Sequence, residues 1–328
     1  MMDFALILEQ AIGSRASDIH LQEHRCPLFR IGYDLVLTSH AVTTRKDIQH
    51  FLQCYGKSES IAEQEPYLRD ISFAVDFTDT VRGRIQGFWE QSGYHVVIRL
   101  LYPLHQWGLD RDAGLLSKVG TLHDGLVLVT GPTGSGKTTT LWQIIDMINR
   151  TRQRHVITLE DPIEYILPSG QSLISQRELG LHFKTYQEGV RQALRQDPDI
   201  LLIGELRDEG TMDAALTAAE TGHLVLSTLH TRSAAQAVTR FAGAFSTGRQ
   251  DEIRYRLSLT LQAILAQRRV CLAKGTIEIV REILLATPAV SQLIRTGREH
   301  QLETVMQTGA AKGMRTMGQA MACRENRR

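Results

Sequence analysis

Two hydrophobic patterns divide the chain. Near the start, apolar residues from Phe4 to Ile12 fall at helical spacing. Two later stretches, Ile71 to Phe77 and His95 to Leu101, alternate as half-buried strands do. Glycines and polar breaks suit short β connections, so this part predicts a small mixed domain. Periodicity is lost around Pro103, Gly108 and Gly114, and a short amphipathic stretch follows through Leu115, Leu116 and Val119. We place the domain boundary near residue 108, giving domains 1–108 and 109–328.

From Leu126 onward the pattern changes. Short apolar runs at Leu126 to Val129, His155 to Leu159, Ile200 to Ile203 and Leu224 to Ser227 alternate with longer helical patterns. That alternation is the mark of βαβ layering, so the second domain is expected to be α/β with a largely parallel core. Beyond Gly248, the residues Ile253, Leu257, Leu261, Ile264 and Leu265 recur at helical spacing. They predict a mostly helical C-terminal region, interrupted by a strand-like Ile277 to Leu285. There is no internal repeat or low-complexity tract.

Composition adds exclusions. At 328 residues and 42% hydrophobic, the chain has the length and apolar content for two ordinary cores. Its 37 basic and 36 acidic residues nearly cancel, so nothing global draws it to nucleic acid or an acidic membrane surface. The longest apolar runs, such as Phe4 to Leu8, fall far short of the roughly 20 residues that cross a bilayer. Acidic Asp3 stands where a secretory signal would be basic, and a cytoplasmic protein is expected. Cys26, Cys54, Cys271 and Cys323 form no CxxC pair and are read as reduced packing residues.

The chemistry begins at residues 131–140, GPTGSGKTTT. Gly131, Gly136, Lys137 and Thr138 satisfy GxxxxGK[ST] directly after an apolar strand and before the helical segment Thr138 to Ile148. Such a loop, spanning Gly131, Pro132, Thr133, Gly134, Ser135, Gly136, Lys137, Thr138 and Thr139, turns backbone N–H groups onto an anion at a helix N-terminus. Lys137 is expected to reach the β and γ phosphates of ATP, and Thr138 to ligate Mg²⁺. The alternative, a glycine-rich turn that merely caps a helix, does not account for the full motif in this frame.

Carboxylates come from two places. The run Ile200–Glu205, ILLIGE, is a buried strand ending in an acid, although Gly204 stands where many P-loop proteins place a Mg²⁺-holding Asp. A second supply is residues 160–164, EDPIE, at the same carboxyl edge of the predicted sheet. Glu164 is assigned as the base, and Glu205 as the Mg²⁺ and water acid. Glu160 and Asp161 stand either at the nucleotide or as turn residues before Pro162.

His223 and His230 flank the strand Leu224 to Leu229 as candidate γ-phosphate sensors, against the blander reading of satisfied strand-end histidines. In the first domain Arg82 and Arg84 share a strand face and Arg99 ends the next strand. They are candidates for a cationic cluster that neutralises transferred phosphate, or for solvated surface positions.

Four segments carry a resemblance: residues 131–140, GPTGSGKTTT; 158–165, TLEDPIEY; 197–208, DPDILLIGELRD; and 217–231, TAAETGHLVLSTLHT. They resemble the Walker A, Asp, Walker B and His boxes of the type II secretion and type IV pilus ATPases. Weaker similarity runs from residues 16–21, ASDIHL, to 306–314, MQTGAAKGM. Within that superfamily, residues 216–240 and the absence of an extra N-terminal domain most resemble the retraction ATPases of twitching motility. Pilus assembly, competence (DNA-uptake) and secretion ATPases are close rivals.

The resemblance implies a PAS-like α+β domain followed by a RecA-like P-loop domain, assembled as a homohexamer. Each N-terminal domain then docks on a neighbour's ATPase domain, with Arg82, Arg84 and Arg99 completing the nucleotide site. It also implies an inner-membrane pilus platform protein as partner, peripheral membrane association through that partner, and Gly204 as normal for the family. This chain departs from the pattern at residues 30–37, RIGYDLVL, where the family has an Arg-x-Asp-Gly turn. Residues 289–294 read AVSQLI in place of AIRNLI, the loop around Ala273 to Gly275 is short, the chain ends soon after Cys323, and the tetracysteine zinc element of secretion relatives is missing.

Two readings of another class compete with this one. Arg249, Arg254, Arg256, Arg268 and Arg269 cluster in sequence as a nucleic-acid motor's surface would, but near-neutral charge and helical spacing favour a solvated or subunit-facing surface, and no direct nucleic-acid partner is expected. A nucleotide-gated regulator with little turnover is opposed by the presence of Glu164 and Glu205.

Overall fold

The computed structural model describes residues 2–56, 70–102, 110–271 and 277–325. The boundary expected near residue 108 and the short loop around Ala273 to Gly275 lie outside the described residues. The chain separates into two compact units, one comprising Met1–Gln106 with Pro162–Tyr165, the other Trp107–Asp161 with Ile166–Arg328.

In the N-terminal unit the elements are α1 (Phe4–Gly13), β1 (Asp18–Gln22), β2 (Leu28–Ile31), β3 (Asp34–Leu37), α2 (Arg45–Tyr55), β4 (Ile71–Asp76), β5 (Arg82–Glu90) and β6 (Gly93–Leu101). The six strands form one sheet in the order β3-β2-β1-β6-β5-β4, and every neighbouring pair is antiparallel. Alternation in β5 and β6 buries Ile85, Val96 and Ile98, which join Ile7 and Ala11 of α1 and Ile48, Phe51 and Leu52 of α2 in one core. Helix α2 starts at a capping box, in which Thr44 accepts from the Asp47 N–H and the Asp47 carboxylate accepts from the Thr44 N–H. Where residues 30–37 depart from the family's turn, β2 and β3 pair from Ile31 against Asp34, and Gly32 (φ +64°) supplies the left-handed turn residue.

The second unit contains α3 (Ala113–Gly120), β7 (Gly125–Thr130), α4 (Lys137–Thr151), β8 (His155–Glu160), β9 (Leu173–Glu178), α5 (Tyr186–Ala193), β10 (Ile200–Ile203), α6 (Glu209–Glu220), β11 (Leu224–Leu229) and α7 (Ala234–Ala242). It continues with α8 (Gln250–Thr260), β12 (Leu261–Cys271), β13 (Ile277–Leu285), α9 (Pro288–Arg295), α10 (Leu302–Thr308) and α11 (Met317–Glu325). Its seven strands run β13-β12-β7-β11-β10-β8-β9, all parallel except the β12–β13 pair. The expected α/β fold with a mostly parallel sheet is therefore present, and β10 has the predicted limits. Every residue of β7, β10 and β11 is buried, as strands covered on both faces must be.

One expectation fails. The helical reading of Ile253, Leu257, Leu261, Ile264 and Leu265 holds only to Thr260; from Leu261 the chain is extended in β12, paired with both β7 and β13. Leu261, Ala263, Ile264, Leu265 and Ala266 are all buried. A strand packed on both faces shows no alternation, so its apolar positions coincide with helical spacing by chance. The cysteine expectation also needs correction: Cys54 and Cys323 are exposed, because they fall on outward positions of α2 and α11.

Candidate nucleotide site

Strand β7 delivers the chain to the loop Gly131–Gly136, and α4 begins at Lys137. Gly136 sits at the N-cap with φ +86°, a left-handed conformation that side-chain-bearing residues adopt at a cost. Gly131 is required for a different reason: a Cβ there would lie 2.4 Å from the Gln267 carbonyl oxygen. Helices α2, α5, α6, α7 and α9 each open on a Thr, Asp or Ser whose side chain accepts a first-turn N–H. Helix α4 has no such side chain, and unlike the likewise uncapped α3, α8 and α10 it follows a glycine-rich loop at the carboxyl end of a strand. Its first-turn donors face a site with no carboxylate or hydroxyl cap, and the helix dipole favours an anion there.

Lys137 is 8% exposed, and its Nζ donates to the carbonyls of Gly131 at 2.9 Å and Pro132 at 3.2 Å. Nζ also lies 3.5 Å from His230 Nδ1, while His230 Nε2 lies 3.2 Å from Glu205 Oε1. An ammonium only donates and a carboxylate only accepts, so the neutral Nε2–H tautomer of His230 satisfies both neighbours. The electrostatics agree. Burial lowers the His230 pKa first and the Lys137 charge lowers it further, with Glu205 opposing. Lys137 is likewise held below its ordinary pKa by burial, with Glu205 again opposing. The other Glu205 oxygen accepts from Arg207 Nε at 2.8 Å.

Gly204, the off-pattern residue, has a steric cause. A Cβ there would sit 3.1 Å from the Tyr186 hydroxyl and 3.2 Å from the Leu159 carbonyl, so the site has little room for the Asp that many P-loop strands carry. The Tyr186 hydroxyl has a raised pKa, through burial first and then through Asp161, Glu160 and Glu205.

The structure brings together Lys137, His230 and Glu205, with Thr138 and Thr139 in the first turn of α4. Glu160 ends β8 buried, where it accepts from Thr158 Oγ1 at 2.7 Å and Gln176 Nε2 at 3.1 Å. His223 does not join them. It stands before Leu224 at the amino end of β11, bonded locally to Ala218 O and Thr221 Oγ1. The six residues of that strand put it roughly 20 Å from the edge carrying the loop. His223 thus stands apart from the Lys137, His230 and Glu205 group.

Glu164 belongs to the tetrapeptide Pro162–Tyr165 within the N-terminal unit, where it pairs with Arg84 at 3.3 Å. Arg82 there donates to the Ile163 carbonyl at 3.1 Å and pairs with Asp76 at 2.7 Å. Arg99 lies directly across from Arg84 in the sheet and pairs with Asp18 at 3.1 Å. The three arginines share a sheet face, but each has its own acceptor. Sequence reasoning missed Arg207, Tyr186 and Gln267. Arg207 stood inside a recognised box; the other two carried no motif.

Among the described residues no group of three His, Cys, Asp or Glu side chains is placed to hold a metal ion. No helix among them is long and apolar enough to cross a membrane.

The profile described as "Type II/IV secretion system protein" matches residues 2–275. The chain belongs to that family. It is thus one of the ATPases of type II secretion and type IV pili that the four sequence boxes resemble. Family relatives include the Escherichia coli uncharacterized protein YggR, 46% identical over 253 residues that cover 76% of this chain and 77% of the relative. The type IV pilus retraction ATPase PilT of Pseudomonas aeruginosa is 35% identical over 320 residues, 96% of this chain and 92% of the relative. Among solved structures, the pilus retraction motor PilT with bound ADP superposes with a TM-score of 0.85 at 33% identity, covering 100% of this chain and 94% of that one.

Proposed function

We propose that this chain hydrolyses ATP to drive retraction of a type IV pilus, working as a homohexameric ring on the cytoplasmic face of the inner membrane against a pilus platform protein. The observation that carries the reading is the uncapped N-terminus of α4, with Lys137, His230 and Glu205 gathered beside it, in a fold similar over its whole length to a pilus retraction motor with bound ADP.

The backbone of Gly131 to Thr139 receives the phosphates, and Lys137 exchanges its carbonyl partners for β and γ phosphate oxygens. Thr138 and Glu205 supply hard oxygen donors. Two protein oxygens suit Mg²⁺, and the ion would supply charge neutralisation at the phosphates. His230 accepts from the Lys137 ammonium through Nδ1 and donates Nε2–H to Glu205, so it positions both groups beside the γ phosphate, and Arg207 fixes the second oxygen of Glu205. Glu164 acts as base, with Glu160 and Asp161 at the carboxyl edge of the sheet, and Arg82, Arg84 and Arg99 exchange their present acceptors for a neighbouring subunit's phosphates.

The nucleic-acid reading loses ground on the surface of the second unit. Arg249 pairs with Glu209 at 2.8 Å, Arg254 with Glu299 at 2.9 Å, and Arg256 with Glu220 and Asp213 at 2.7 and 2.6 Å. Their charge is matched internally, so they do not offer a free cationic stripe.

The test is ATP turnover of the purified chain against Glu205→Ala, with light scattering on both in Mg²⁺ and nucleotide, and complementation of a retraction-deficient host by each. A hexamer whose turnover falls by at least about a hundredfold in the variant, an ordinary loss for a charge-stabilising group, and which restores retraction only as wild type, is expected. Equal turnover of the two proteins, or turnover without restored retraction, would sink the proposal.

A further inference from the structure

Behind the phosphate loop lies a buried line of polar side chains that the phosphate chemistry does not use. Gln267 of β12 is 1% exposed and follows Ala266, the cross-strand partner of Thr130, so it stands beside the first loop residue. Its Nε2 donates to the Ser135 carbonyl at 2.7 Å, and its Oε1 accepts from Thr140 Oγ1 at 3.0 Å. Thr140 Oγ1 accepts from Arg281 Nη2 at 2.8 Å. Arg281, the cross-strand partner of Gln267 and 1% exposed, is fixed by Asp110 at 2.7 Å and Asp112 at 3.2 Å, and Arg315 pairs with Asp112 at 2.6 Å.

Hydrogen-bond chemistry gives this line one direction. A guanidinium only donates and a backbone carbonyl only accepts, so Thr140 must pass its proton to Gln267 and the amide must present its nitrogen to Ser135. The amide orientation is therefore fixed at both ends. Gln267 also meets the loop with its backbone, since its carbonyl oxygen occupies the space a Cβ on Gly131 would need. One residue touches the loop at its first glycine and at the residue before Gly136.

We infer that Gln267 is the positioning residue of the phosphate loop, holding the Ser135 peptide so that the loop's N–H groups converge on the nucleotide, with Thr140, Arg281, Asp110 and Asp112 setting its amide. The inference rests on the nucleotide reading of this loop. It requires a donor at position 267: an apolar side chain of the same length leaves the Ser135 carbonyl buried and unpaired, and the loop relaxes away from its binding geometry.

The experiment measures ADP affinity by titration calorimetry and melting temperature with and without ADP on the full chain. Its variants are Gln267→Met, Thr140→Val, the double variant, and Lys137→Ala as reference. Gln267→Met is expected to weaken ADP by at least about tenfold, the scale of one unsatisfied buried acceptor. The nucleotide-free melting temperature should hold while the ADP-induced rise shrinks. The double variant is expected to bind no more weakly than Gln267→Met alone, because the two residues act as one line. ADP affinity of Gln267→Met within twofold of wild type overturns the inference, as does a lower melting temperature with the ADP-induced rise intact, which marks a merely structural residue. Should Gln267→Met not fold, Gln267→Glu decides by the same criterion, since its carboxylate accepts from Thr140 but offers Ser135 no donor. If wild type itself binds no ADP, or Lys137→Ala binds as well as wild type, the nucleotide reading has failed instead.

Discussion

His230 connects a cation to an anion across 3.5 and 3.2 Å, and this fixes both its tautomer and its pH behaviour. Its pKa in the folded chain is lowered from 6.5, chiefly by burial. The unfolded chain therefore binds the proton more readily, and the contribution of this residue to stability is present above pH 6.5 and lost as pH falls through the lower folded value. Protonation also places a donor on Nδ1 against the Lys137 ammonium. ATP turnover is accordingly expected to fall on the acid side of pH 6.5 in wild type and to lose that limb in His230→Gln, whose amide does not titrate. Matching kcat/KM profiles for the two proteins would assign the limb to another group. The partners of His230 were legible only in part: Lys137 and Glu205 lay in motifs, but their meeting through one imidazole was not.

Among elements, β10 shows how a neighbour decides a residue type. Directly after it comes Gly204, hydrogen-bonded through its N–H to the Leu159 carbonyl at 2.8 Å and faced by the Tyr186 hydroxyl from α5. Gly204→Ala pushes a methyl group to 3.1 Å from that oxygen and is expected to destabilise the chain by about 1–3 kcal/mol, as overpacking does. Adding Tyr186→Phe removes the oxygen and should recover part of the loss. Chemical denaturation of the single and double variants checks this, and a double variant no more stable than Gly204→Ala would show that the Leu159 backbone is the true obstacle. The sequence showed Gly204 as an anomaly; α5, which explains it, arrives from about twenty residues upstream only once the sheet is folded. Helix α4, by contrast, was readable but for one residue at its start and three at its end, because a motif, a preceding apolar strand and helical spacing all agree locally.

At the scale of the whole chain, the two sheets place the chemistry. In the second unit β7 and β11 run side by side and parallel, so the loop after one and His230 after the other share an edge, whereas His223 falls at the opposite edge. Strand β12 closes the other side of β7 and brings Gln267 to the loop. Ile264 in β12 is fully buried between β7 and β13, and Ile264→Ala is expected to cost about 2–5 kcal/mol in denaturant unfolding. A loss below about 1 kcal/mol would be that of an exposed helical position and would contradict the strand. By itself the sequence determined the βαβ layering, the glycine-rich loop between strand and helix, and the family, because each depends on spacing within a few turns or strands. Only the tertiary structure decided that Leu261, Ile264 and Leu265 form a strand, that His230 rather than His223 reaches Lys137, and that Gln267 stands behind the loop. These depend on which segments distant in sequence pair in the sheet, and a strand buried on both faces carries no periodicity that announces its partners.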